Sequence, residues 1–483
     1  MSFVKDLEPR ALWSHFDRIL EIPRGSKEED EMRAYVLEVA ERAGLEHQVD
    51  SAGNVVVRKA GARGHEDGAI TILQGHLDMV NEKNSDVDHD FSKDPIQAEQ
   101  DGEWLTAKGT TLGSDNGMGV AAMLALMESD DVAHGPLELL FTIDEESGLT
   151  GAAQLDGSML QGRQLLNLDT EEEDAVTVGC AGGGDSHLSL SVDRTEAPAG
   201  TRAVALALKG LKGGHSGIDI NLQRGNAVRL LARIIDAGAR GTTFRLAAFQ
   251  GGDKHNAIPR EATATVVLPA DEVEGFEHRA GEEYAAVRQA FSAVEPDMVL
   301  KLEVEEASGE ALDASSSWKA LHLIHGLPHG VDTMSYDIPD LVETSTNLAK
   351  AVLGADVLEI LMSTRSSVKS ELEGLRNRIR AIAHLAGAGV EEETPYPGWK
   401  PDLDSHVLAV LKEAFEAVKG KEPVVEAVHA GLETGIIGEK VPGMDMVSFG
   451  PQIEFPHSPD ERVRIPSVDT FYRILVGTLE RLA

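Results

Sequence analysis

Apolar residues in the first third of the chain fall into two alternating textures. Short unbroken runs read as buried strands: "NVVVRK" from Asn54, "AITILQG" from Ala69, Leu137 to Thr142 in "PLELLFTIDEESG", and "RQLLNLDT" from Arg163. Between them lie longer stretches with helical periodicity: Pro9 to Leu20, "GSKEEDEMRAYVLEVAERAG" from Gly25, and "SDNGMGVAAMLALMES" from Ser114. Ser26 with Glu29 predicts a capping box for the second of these helices, and Gly44 its stop. Strands alternating with helices predict an α/β fold, an open mixed sheet with helices on both faces.

The texture changes near residue 182. The glycine-rich "CAGGG" from Cys180 predicts a hinge. Alternating strands follow, "SHLSLSVD" and "AVALALKG", then the helix "GNAVRLLARIIDAG" and the strand "ATATVVLP". Later come the strand "VLEILMSTRSS" and the long helix "VKSELEGLRNRIRAIAHLAGAG". The proline-rich "TPYPGWKPDLDS" predicts a return linker, after which a helix from Ser405, the strand "MDMVSFGP" and a closing helix, Pro466 to Leu482, resume the α/β texture. The expected organisation is a split catalytic domain, residues 1–181 and 396–483, with an inserted α+β domain of two strand-rich halves at residues 182–395.

Composition narrows the function classes. With 44 basic against 82 acidic residues the net charge is −38, which repels nucleic acid and anionic membrane. No run is long and apolar enough to span a bilayer, and the N-terminus lacks an apolar signal region, so a cytoplasmic location is expected. The single cysteine, Cys180, excludes an internal disulfide and reads as a packing residue.

The ends of the predicted strands carry the chemistry. In open α/β sheets ligands sit beyond the carboxyl ends of strands. His76 and Asp78 follow one strand, Asp144, Glu145 and Glu146 a second, and Asp169 a third. Asp115 heads a helix, and His457 lies in "GPQIEFPHSPDE" after the last strand. Each motif alone is weak: a capped strand end, an acidic helix start, a turn or a loop histidine explains it as well. Together they can converge on one sheet edge. Carboxylates so gathered would repel one another, and bound cations are the natural remedy. Imidazole with carboxylate suits Zn²⁺, and also Mn²⁺ or Co²⁺. Two histidines and three acids are too few for two separate sites but suffice if one acid bridges. His76 and Asp169 are assigned to one metal, Glu146 and His457 to the other, and Asp115 to the bridge. Two divalent cations and three carboxylates leave a charge of about +1, matched by one bridging hydroxide as nucleophile. Asp78 then orients the His76 imidazole, and Glu145 remains free as general base and acid.

Taken together, "GHLDMV", "GTTLGSDNGMGVA", "DEESGLTGA", "LNLDTEE" and "FPHSPDE" resemble the two-zinc metallopeptidase family that includes aminoacylase, carboxypeptidase G and the carnosinases. The likeness runs nearly end to end. It is nearest the branch that cleaves Xaa-His dipeptides, through "HDFSKDPIQ" and "GLKGGHSGIDI". It implies a zinc-peptidase-like catalytic domain, the ligand order His76, Asp115, Glu146, Asp169, His457, the catalytic pair Asp78 and Glu145, and a cis peptide after Asp115. One departure is Thr434, where the pattern would have a cysteine.

In this light the inserted domain is expected to be a lid. The resemblance implies that His215 in "KGGHSG" helps stabilise the tetrahedral oxyanion, and that Asn256 in "HNAIPREA" contacts substrate. Arg365 in "MSTRSS" suits the free carboxylate of a dipeptide, and Glu433 in "AGLET" suits either its free amine or a structural role. The expected function is hydrolysis of small unblocked dipeptides, preferentially Xaa-His and with β-Ala-His in range. An aminoacylase or tripeptidase of the same family is the alternative, and a non-catalytic metal-binding relative a third reading that no lost ligand supports. A homodimer is compatible with the sequence, but a lid of this length predicts that one chain supplies both His215 and Arg365 to its own site.

Overall fold

A computed structural model of the chain describes residues 3–483. The chain divides into two compact units. One takes in the chain up to Cys180 with Trp399–Ala427 and Leu432–Ala483; the other is Ala181–Gly398 with Val428–Gly431.

The first unit is built on an eight-stranded sheet. In chain order its strands are β1 (Glu46–Val49), β2 (Val55–Lys59), β3 (Thr71–His76), β4 (Leu137–Thr142), β5 (Gln164–Asn167), β6 (Ala175–Cys180), β7 (Val424–Val428) and β8 (Asp445–Ser448). They lie side by side as β1-β2-β4-β3-β5-β8-β6-β7. β3 runs parallel to both β4 and β5, with His76 opposite Thr142 and Gln74 opposite Asn167. β2 joins β4 antiparallel, so the sheet is mixed. Every residue of β3 and β4 is buried, the polar Gln74, His76 and Glu138 along with their apolar neighbours. Three helices concern the site: α1 (Arg10–Ile19), α2 (Asp30–Arg42) and α3 (Ser114–Glu128). α3 is buried from Ser114 to Met127, as suits a helix apolar on all sides.

Two local readings need correction. Ser26 and Glu29 do not form a capping box: α2 begins at Asp30, and Glu29 at its N-cap makes no side-chain cap. Ser26 instead donates to Asp78 Oδ2 at 2.8 Å, and Glu29 Oε1 accepts the amides of Lys27 and Asp144 at 2.8 and 3.0 Å. A partner distant in sequence outbids the local cap. The glycines after Cys180, where the chain passes from one unit to the other, are not an irregular loop. Gly182 opens a ten-residue strand, Gly182–Ser191, and a Cβ on Gly182 would come within 2.4 Å of the Gly398 nitrogen. Close backbone packing demands glycine there.

The second unit holds a nine-stranded sheet. Its pairings are antiparallel, and strands such as Gly182–Ser191 alternate buried and exposed residues beyond their glycines. One strand group, with Thr201–Lys209, Ala262–Pro269 and Arg245–Gly251, meets another, with Val342–Leu353 and Val357–Ser366, through the short pairing Gln250–Val352 and Gly251–Ala351. Helices Ala227–Gly238, Val273–Ala290, Ala314–Gly326 and Lys369–Ala386 complete one core, in which Leu206, Phe249, Phe276, Leu321, Met362 and Ile379 are fully buried.

Candidate metal centre

The parallel register of β3, β4 and β5 brings their carboxyl ends together and decides which side chains meet. His76 closes β3 and is 1% exposed. The acids 144–146 follow β4, and Asp169 follows β5 two residues past its end. Asp115 sits at the head of α3, where it and Asn116 leave helical geometry and the Asp115–Asn116 peptide is cis. Asn116 Nδ2 holds the Leu168 carbonyl at 2.6 Å, which ties this kink to the segment carrying Asp169. His457 arrives on a loop with left-handed backbone at φ 59°.

The side chains converge tightly. His76 Nε2 is 3.1 Å from Asp115 Oδ1 and 3.3 Å from Asp169 Oδ1. His457 Nε2 is 3.2 Å from Asp115 Oδ2 and 3.0 Å from Glu146 Oε2. The two oxygens of one carboxylate thus face two different imidazoles. Groups able to hold a cation fall into the same pattern: His76, Asp115 and Asp169 form one triad and Asp115, Glu146 and His457 another, each with ligand atoms within 4.8 Å of one another. A third triad, His76 with Glu145 and Glu146, shares this space. The buried His76 Nδ1, Glu146 Oε1 and Asp169 Oδ1 have no hydrogen-bond partner.

Electrostatics point the same way. Burial pushes the carboxyls of Glu145, Glu146 and Asp169 above their ordinary range; the charge of Asp115 adds to it for Glu146 and Asp169, and those of Asp169, Glu433 and Glu146 for Glu145. Glu171 is pushed up to about 8 by burial and by the charges of Asp115 and Asp169. Hydrogen bonds to Asp115 and Glu146 pull His457 up to about 11. His76 is raised well above its ordinary value: burial opposes this, but Asp169 and Asp115 prevail. A site that draws protons onto two imidazoles has a strong demand for positive charge. Divalent cations with nitrogen and oxygen ligands would meet that demand, and the residues present fit two of them sharing Asp115.

The supporting groups are equally specific. Asp78, fully buried, accepts the amides of Glu145 and Glu146 at 3.0 and 3.1 Å, and its Oδ1 is 3.4 Å from His76 Nδ1. Burial alone would raise its pKa, but His76 and these donors hold it down to about 2. Glu433 is 2% exposed and takes Gln74 Nε2 and Thr142 Oγ1 on Oε2, both at 2.6 Å. Its Oε1 has no partner, and burial pushes it up to about 7. Thr434 is fully buried, with its hydroxyl unpaired. Gln74, Glu171, Arg24 and Glu461 escaped the sequence reading. Glu461 and Glu171 carried a signal, because they stand inside the "FPHSPDE" and "LNLDTEE" motifs.

The remaining candidates belong to the second unit. His215 is half-buried beside Gly214 on a two-residue strand paired with Ala257–Ile258. Its Nδ1 accepts the amides of Gly217 and Ile218 at 3.2 and 3.1 Å, so in the neutral ring Nε2 carries the proton. Burial and the Arg365 charge lower its pKa. Asn256 is exposed and lines with His215 an open cavity of about 790 Å³. Arg365 is 7% exposed; Nη1 donates to the Tyr396 hydroxyl at 2.9 Å and Nε has no partner. His429, 8% exposed, shares a 2.8 Å hydrogen bond with Ser345, and burial with the Arg365 charge pushes it down to about 3.

Comparison with known proteins follows the same lines. A model of the peptidase family M20/M25/M40 matches residues 72–481. The chain is 40% identical over 482 residues to the cytosol non-specific dipeptidase of Escherichia coli (strain K12), covering 100% of this chain and 99% of the relative. A crystal structure of aminoacylhistidine dipeptidase from Vibrio alginolyticus superposes with a TM-score of 0.95 at 41% identity, over 99% of this chain and 98% of that one. An aminopeptidase PepT from Bacillus cereus ATCC 10987, at 17% identity and a TM-score of 0.57 over 99% of both chains, shares the fold. Among the described residues no helix is long and apolar enough to cross a membrane.

Proposed function

The chain belongs to peptidase family M20/M25/M40, and from that premise we propose that it is a two-metal dipeptidase, acting in the cytoplasm, that prefers unblocked Xaa-His dipeptides. The observation that carries the reading is Asp115, whose two oxygens face His76 and His457 at 3.1 and 3.2 Å. His76 and Asp169 would hold one cation, Glu146 and His457 the other, and Asp115 both. Zinc suits this donor set best, with manganese or cobalt as substitutes. When bound, two such ions polarise the scissile carbonyl and acidify the attacking water.

The remaining steps belong to the protein. Glu145, whose carboxyl is raised by burial, takes the water's proton and delivers it to the leaving amine. Asp78, with Oδ1 3.4 Å from His76 Nδ1, would orient that ring by its charge, and its hold on the amides of Glu145 and Glu146 keeps these two neighbours apart in role. The second unit would act as the lid. There His215 offers an Nε2–H donor to the oxyanion, Asn256 contacts the substrate amide, and Arg365 grips the substrate carboxylate. Glu433, through its unpaired Oε1, would receive the substrate's ammonium group. A free dipeptide has both charged ends, so these two residues restrict length as well as charge. His215 and Arg365 lie in one unit of one chain, and we take both to serve that chain's own site.

The test is metal dependence. Exhaustive chelation should abolish Xaa-His hydrolysis, and Zn²⁺, Mn²⁺ or Co²⁺ should restore it. Full activity in protein shown metal-free by elemental analysis would end the proposal.

A further inference from the structure

Two buried charged residues outside the ligand set meet at one short backbone segment, Leu112–Asp115. Glu461 is 2% exposed and lies on the loop that carries His457. Its Oε2 accepts the amides of Leu112 and Gly113 at 2.8 and 3.0 Å. Its Oε1 accepts the Ser114 amide at 2.7 Å and the Ser114 hydroxyl at 2.6 Å, with the Asp115 amide at 3.4 Å. Arg24 is 3% exposed and reaches the same segment from the carbonyl side. Its Nη2 donates to the Gly113 carbonyl, and its Nη1 to the carbonyls of Leu77 and Asp78 at 3.1 and 2.7 Å. Gly113 is therefore held by Glu461 through its amide and by Arg24 through its carbonyl. Its φ of 72° favours glycine, and a Cβ there would crowd the Arg24 guanidinium and the Met79 side chain.

We propose that Arg24 and Glu461 are positioning residues that set the Asp115 carboxylate between His76 and His457 before any cation binds. This rests on the reading of Asp115 as the bridging ligand. The physical need is clear. His76 and His457 stand 39 and 342 residues from Asp115, so no local geometry fixes their spacing. Crowded carboxylates also favour relaxation of an empty site by mutual repulsion. Arg24 ties the end of β3 to the head of α3, and Glu461 ties the His457 loop to the same point. Both charged groups are buried and bonded mainly to backbone of this joint, so moving Asp115 would strand them. The three ligand-bearing segments thus share one joint, and the ligands need not be gathered at the cost of binding energy.

The test compares Glu461→Gln, Arg24→Lys and Asp115→Asn with the full-length wild type. Glutamine keeps the volume of Glu461 and one accepting oxygen but loses the charge. Lysine keeps the charge of Arg24 but not its fork across three carbonyls. Three quantities are read: melting of the metal-free protein, Zn²⁺ affinity by chelator competition, and the visible d–d spectrum of the Co²⁺ form. Expected for Glu461→Gln and Arg24→Lys is a folded metal-free protein, at least one Zn²⁺ bound about 10–100-fold more weakly, and an altered Co²⁺ spectrum. A residue that merely caps α3 would lower the melting temperature and leave affinity and spectrum alone. Wild-type affinity and spectrum in both variants, with Asp115→Asn losing metal, overturn the positioning role alone. Wild-type binding of both ions in Asp115→Asn overturns the bridging assignment on which it stands. The two substitutions sit on different segments, so a failure of one to fold leaves the other as the test.

Discussion

Replacing Arg365 by methionine gives the sharpest view of substrate recognition. The guanidinium is 7% exposed, and its Nη1 is committed to the Tyr396 hydroxyl at 2.9 Å. Nε has no partner, so in the proposed role the Nε–Nη2 edge would be the fork offered to a carboxylate, with two parallel bonds. Hydrogen bonds to charged groups contribute about 1.5–3 kcal/mol each, so two are worth about 3–6 kcal/mol. At about 1.4 kcal/mol per decade, Arg365→Met should lower kcat/KM for a free Xaa-His dipeptide by about 10²–10⁴-fold. The same dipeptide as its C-terminal amide lacks the charge, and its loss should stay within about tenfold, the worth of one neutral hydrogen bond. Methionine keeps most of the side-chain length, which limits the cavity. The assay is kcat/KM on the matched pair. Equal losses on acid and amide would refute the reasoning and leave Arg365 a structural partner of Tyr396.

Three further outcomes follow from the site. Glu145→Ala should lower kcat by orders of magnitude while two metal ions stay bound, whereas Glu146→Ala should cost metal content; the reverse pattern would exchange their roles. If, as proposed above, each chain supplies both groups to its own site, mixing His215→Ala and Glu145→Ala chains under subunit exchange should leave activity low; recovery on mixing would mean that His215 acts across a dimer. His429 is held near a pKa of about 3, against about 6.5 when unfolded, so the unfolded chain binds the extra proton between these values. Its contribution should be intact above about pH 6.5 and decline by about 1.4 kcal/mol per unit below it, so His429→Gln should flatten the acid side of the melting-temperature profile; an unchanged slope would assign the acid sensitivity elsewhere.

Much of this was legible in order along the chain. The apolar runs before His76, before Asp144 and before Asp169 specified strands whose carboxyl ends carry acids and imidazoles, because a strand buried on both faces is mostly apolar; the polar Gln74 and Glu138 within them are buried against partners distant in sequence. The alternation of strand and helix specified the α/β class. Local rules failed where a distant group competed for a residue. Ser26 and Glu29 fit a capping box by spacing, yet Asp78 and the Asp144 amide claim them. The glycines 182–184 fit an irregular loop by composition, yet they form a strand packed against Tyr396 and Gly398.

By itself the sequence determined which acids and imidazoles stand at strand ends and the elements that carry them, since periodicity and residue chemistry are local properties. Only the tertiary structure decided the distances. Nothing in the order of residues states that Asp115 will face His76 with one oxygen and His457 with the other. That follows from the parallel register of β3, β4 and β5, from the kink at the head of α3, and from Arg24 and Glu461 gripping one backbone segment from both sides. Register and burial are cooperative. Each charged group below the surface is tolerable only once its partners from remote segments have arrived, and that condition is visible only in the folded chain.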